Sequence, residues 1–130
     1  MPWWWPFSKK RDERDIAEAR LLEHAKNNIE GVIAYLHKTN PAGRIEAIKE
    51  AQSALSLFVT PPRDITNPKH IQENKNLKYD IESLVIALKD FEKRQRGSGF
   101  ITQAYKDSMK ALEANARRII EKINGILRQI

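Results

Sequence analysis

The last thirty residues constrain the chain most. Ile101, Tyr105, Met109, Leu112, Ala116, Ile119, Ile123, Ile126 and Ile130 follow one another at steps of 4, 4, 3, 4, 3, 4, 3 and 4. A helix, turning about 100° per residue, brings such a set onto one side, whereas a strand would scatter it over both faces. After the first step the alternation is that of the a and d positions of a heptad, an apolar seam that other helices must cover. Ile120 and Leu127 broaden it.

Three more segments carry matching seams. Leu22, Ala25, Ile29, Val32 and Leu36 share one helical face, with Leu21 and Ile33 widening it, in a helix expected from Ser8 to near Lys38. Asn40-Pro41 is a start signal, with Asn as N-cap and Pro in the first turn. Ile45, Ile48, Ala51 or Gln52, Leu55 and Phe58 form the apolar face expected of this second helix. It ends by Val59, because Thr60-Pro61-Pro62 removes donors and clashes with the preceding turn. Asn67-Pro68 repeats the start signal, and Ile71, Asn74, Leu77, Ile81, Leu84, Leu88 and Phe91, with Val85 alongside, form the third seam. Gly97-Ser98-Gly99 stops it. Asn74 is a polar residue on an apolar seam. It either fixes pairing in the core or lies exposed at an open end of the bundle.

Short connections make successive helices antiparallel neighbours, so the expected fold is all-α, an up-down-up-down four-helix bundle with a short second helix. The 130 residues, 41% of them hydrophobic, suffice for one core. The expected division is a Trp/Pro-rich segment over residues 1–8 and a single bundle domain over residues 9–130. At 1.5 Å per residue the first, third and fourth helices should run roughly 40–45 Å and the second about 28 Å. A shortfall of about 12–17 Å would leave one bundle end under-covered near Ile71, Ile126 and Ile130, at the end where the N-terminal segment enters.

Chemistry is sparse. With no Cys there are no disulfides, thiolate metal ligands or thiol nucleophiles. The chain has no phosphate-binding loop, dinucleotide fingerprint or nucleophile elbow. His24, His37 and His70 have no second His one helical turn away, and no Glu-x-x-His pair of the di-iron type occurs. No catalytic residue, metal, cofactor or small-molecule substrate is therefore expected. The reading is a non-catalytic binding or adaptor module, acting through another protein or through self-association, in the cytoplasm.

Trp3, Trp4, Trp5 and Phe7 place four large aromatic side chains within five positions, and Lys9, Lys10 and Arg11 follow at once. Three roles fit this tract: an internal cap on the under-covered bundle end, an anchor in a partner protein, or peripheral attachment to an acidic membrane surface at the inner face. Geometry favours the cap. No apolar run reaches the length of a membrane span.

The formal net charge is +6. Lys106, Lys110, Arg117 and Arg128 fall within about 40° of one another on a helical projection. Arg94 and Arg96 crowd beside the Gly97–Gly99 turn. These six cations define an alternative class, a small basic nucleic-acid-associated protein using its C-terminal half. A solvated face and dipole-compensating charges at a helix end account for the same residues.

Overall fold

The computed structural model describes residues 13–59, 70–96 and 101–130. They form four helices: α1 (Glu13–Leu36), α2 (Pro41–Val59), α3 (Ile71–Gln95) and α4 (Gln103–Gln129). No strand occurs among the described residues. Each helix packs on the next, and α4 closes back on α1, so α1 and α3 face each other across the diagonal. Tyr35 meets Gly43 while Gly31 meets Glu50, and Phe91 stacks on Tyr105 while Asp80 bonds Lys122. Residue numbers thus fall on one helix as they rise on its neighbour. The chain is an all-α bundle of antiparallel neighbours, as the spacing predicts.

Local chemistry sets the helix ends. Asn40 Oδ1 accepts the Gly43 N–H at 2.6 Å, which makes Asn40 the N-cap expected from Asn40-Pro41. Thr102 Oγ1 accepts the Tyr105 N–H at 3.1 Å and starts α4. The α1–α2 turn passes through Thr39 at φ 50°, a left-handed conformation that costs a β-branched residue steric energy. The third helix begins later than the sequence predicts. Its first residue is Ile71, and His70 before it has a non-helical ψ of 18° and gives no side-chain cap. The Asn67-Pro68 signal, the Ser8 start of the first helix and the Gly97–Gly99 stop lie outside the described residues.

With 24, 19, 25 and 27 residues, the helices span about 36, 28, 38 and 40 Å. Over the described residues the second is the shortest, by about 8–12 Å.

The α1, α3 and α4 seams are buried as predicted from Leu22 to Leu36, from Leu77 to Phe91, and at Tyr105, Leu112, Ala116, Ile119, Ile123 and Ile126. Ile71 and Ile101 are exposed instead. The α2 face is different. Ala47, Ala51 and Ala54 are buried with Arg44, whereas Ile45 is 44% exposed and Ile48, Leu55 and Phe58 only flank the core. Small side chains face inward because α2 lies close to α1. A Cβ on Gly43 would come within 2.6 Å of the Tyr35 carbonyl oxygen, and one on Gly31 within 3.2 Å of the Glu50 carboxyl group.

Candidate functional site

The α1 seam does not stop at Leu22. One step of four earlier stands Glu18, fully buried. On α3 the seam likewise continues back from Leu77 through Asn74 to His70, at steps of three and four. His70 is buried and Asn74 half-buried. Helical periodicity aims all three polar side chains at the bundle axis from diagonally opposite helices.

They meet there. His70 Nδ1 lies 2.5 Å from Glu18 Oε1, and Asn74 Nδ2 donates to Glu18 Oε2 at 3.1 Å. The two bonds engage both oxygens of the Glu18 carboxyl group. Asn74 Oδ1 is buried with no hydrogen-bond partner. The Glu18–His70–Asn74 layer lies at the end where α1 and α3 begin and α2 and α4 finish. Glu50 sits beside Gly31 on α1, and the antiparallel offset this sets carries the level of Glu18 just past Val59, the last residue of α2. The layer thus occupies the stretch that the short α2 fails to reach. Asn74 takes the core-pairing role of the two that the sequence allows it.

A carboxylate-oriented imidazole can serve acid–base chemistry or metal ligation. Among the described residues, no group of three or more His, Asp or Glu side chains is placed to hold a metal ion.

A second charged cluster lies at the other end. Arg44, at the start of α2, is buried, and its Nε has no hydrogen-bond partner. Its charge acts on Glu92 of α3, which is buried and accepts from Arg96 Nη2 at 2.8 Å. The Arg96 hydrogen bond is the main reason the Glu92 carboxyl titrates below the usual glutamate range; burial opposes it, and the charges of Arg96 and Arg44 add to it. On the surface between α1 and α4, Glu113 receives both His37 Nε2 and Arg117 Nη2 at 2.9 Å. His37 first, and Arg117 second, hold the Glu113 carboxyl low.

Three of the six basic residues predicted to contact anions are paired with carboxylates. Arg94 pairs with Asp90 at 3.2 Å, Arg96 with Glu92 and Arg117 with Glu113, each one turn away on its own helix. Lys106, Lys110 and Arg128 are exposed, and among the described residues they form no ion pair. The aromatic and basic tract Trp3, Trp4, Trp5, Phe7, Lys9, Lys10 and Arg11 lies outside the described residues. Next to where it joins α1, the bundle end exposes Ile16 of α1, Val59 of α2 and Ile71 of α3. No described helix is long and apolar enough to cross a membrane.

Sequence reading missed Glu18, although its place four residues before Leu22 was the available signal. Arg44 was equally visible, three residues before Ala47. Comparison with protein-family models, curated proteins and solved structures returns no match.

Proposed function

We propose that this chain is a non-catalytic helical-bundle module that works in the cytoplasm through protein–protein contacts, with residues 1–8 and the adjoining bundle end as its contact surface. One observation carries the reading. Ile16, Val59 and Ile71 are exposed at the end where α2 stops, and α1 enters that end directly from Trp3, Trp4, Trp5 and Phe7. Large aromatic and aliphatic side chains supply the apolar area that anchors protein contacts. Lys9, Lys10 and Arg11, which follow the aromatic run in sequence, would favour an acidic counterpart.

The test compares the intact chain with one lacking residues 1–8. Each is immobilised at equal density, exposed to extract, washed at rising salt, and assayed for sedimentation and for pelleting with acidic vesicles. The reading expects a stoichiometric protein partner, or a concentration-dependent dimer, that the shortened chain loses. Equal retention by both chains refutes it. Vesicle pelleting by the intact chain alone converts the tract into a peripheral membrane anchor. All three tryptophans lie in this tract. Blue, quencher-resistant emission from the isolated monomer, together with a lower melting temperature after truncation, would instead make it an internal cap.

A further inference from the structure

We propose that Glu18, His70 and Asn74 lock the axial register of α3 against α1. The apolar seams alone leave that register undetermined. His70 bonds Glu18 across a sequence separation of 52. The same offset sets the rest of the two parallel seams level, Leu22 with Asn74, Ala25 with Leu77, Ile29 with Ile81, Val32 with Leu84 and Leu36 with Leu88. A slide of α3 by one heptad sets Leu22 against Ile81, Ala25 against Leu84, Ile29 against Leu88 and Val32 against Phe91. That core is as apolar as the native one. Seams of a and d residues alone tolerate slips of seven, which is why bundles and coiled coils use a buried polar residue to choose among them.

The polar layer distinguishes the registers. Slid one way, α3 sets Glu18 against Leu77, and slid the other way it sets His70 against Ala25. Either slip strands a buried charged or polar group among aliphatic side chains, where nothing replaces its lost hydration. In the native register one carboxylate satisfies both donors, Oε1 taking His70 and Oε2 taking Asn74. Placement at the bundle end adds leverage. The connection between α2 and α3 runs from Val59 to His70, long enough to absorb a slide of about 10 Å, so the linker does not fix the register by itself.

The test reads register directly in the full chain. With no native Cys, spin labels go only where Cys is introduced, at Arg20→Cys on α1 and Lys93→Cys on α3, both exposed positions. These sites lie near opposite ends of the bundle, so a heptad slide of about 10 Å changes their separation by several ångströms. The labelled parent should give one narrow distance distribution. Glu18→Gln should do the same, because Gln still accepts from His70 and the Asn74 amide can turn to match it. The triple variant Glu18→Leu/His70→Leu/Asn74→Leu should stay helical but give a second or markedly broadened distance. A triple variant with the narrow parental distribution overturns the proposal. So does a broadened distribution in Glu18→Gln, where the hydrogen-bonding layer is retained. A triple variant that loses its helical signal overturns it as well, because the layer would then be required for folding rather than for choosing a register.

Discussion

Replacing Glu18 by Leu should destabilise the bundle by about 2–3 kcal/mol, although the new side chain is more apolar than the old. The magnitude follows from what is left behind. Glu18 is fully buried and the His70 side chain is only 5% exposed, so water cannot easily reach the two donors that lose their acceptor. Breaking a buried hydrogen-bonded pair from one side costs about 3–5 kcal/mol, and burial of the leucine returns about a third to a half of that. Adding His70→Leu and Asn74→Leu removes the stranded groups, and the triple variant should equal or exceed the parent in stability. Urea unfolding followed by far-ultraviolet circular dichroism measures this. With a slope of roughly 1.5–2 kcal/mol per molar urea, the single variant should move the midpoint down by roughly 1–2 M, and the triple variant should recover it. An unchanged midpoint for Glu18→Leu would refute the reasoning, because the carboxylate would then have no net role in the layer. A triple variant weaker than the single one would refute it differently, by showing that His70 and Asn74 stabilise the core without Glu18.

Other substitutions test the remaining parts of the bundle. Glu92→Gln takes the anionic neighbour from the buried Arg44 and should lower stability by about 1–3 kcal/mol, with Arg44→Met restoring most of it; additive losses in the double variant would count against the coupling. His37 and Arg117 lower the folded-state pKa of Glu113, so its contribution is present above the ordinary glutamate value of about 4.3 and lost as pH falls through the lower folded value. Glu113→Gln should therefore melt below the parent at neutral pH and converge with it in acid; a gap that persists in acid would exclude the ion pairs as its source. Thr39 sits at φ 50°, and Thr39→Gly should raise the melting temperature through relief worth about 0.5–1 kcal/mol. Leu84→Asp and Ile119→Asp, at buried mid-seam positions, should each cost several kcal/mol, and parental melting of both would contradict a core at those faces.

The fold was legible because three helices carry long seams of large aliphatic residues at steps of three and four, and Asn40 and Thr102 cap where such residues usually cap. The second helix was harder to read, because two sets of positions on it compete at helical spacing. Ile45, Ile48, Leu55 and Phe58 are the bulkier set, and bulk suggests the core. Arg44, Ala47, Ala51 and Ala54, at steps of three, four and three, are the set that faces inward. The choice depends on how near the helix axes lie, and one helix considered alone does not contain that distance. Gly43 and Gly31 bring α2 close to α1, and at that separation alanine fills the gap where isoleucine would overpack it.

The polar layer fell below notice for a related reason. A seam traced from its first large apolar residue begins at Leu22 on the first helix and at Ile71 on the third, so Glu18 and His70 look like solvated helix ends and Asn74 alone stands out as a polar residue on a seam. Their spacing places them on the seams all the same. Whether a polar residue at a seam end meets water or another helix depends on the length of the neighbours, and here α4 runs to Gln129 beside the layer while α2 stops at Val59. Glu18 is buried at that end, while Val59, where α2 stops, and Ile71 of α3 are exposed there. The short second helix thus ends at the level where the internal polar bond and the exposed Val59 and Ile71 are found. A lengthened α2 that ran past Val59 to the level of Glu18 would crowd the polar layer, so the register lock depends on where α2 ends.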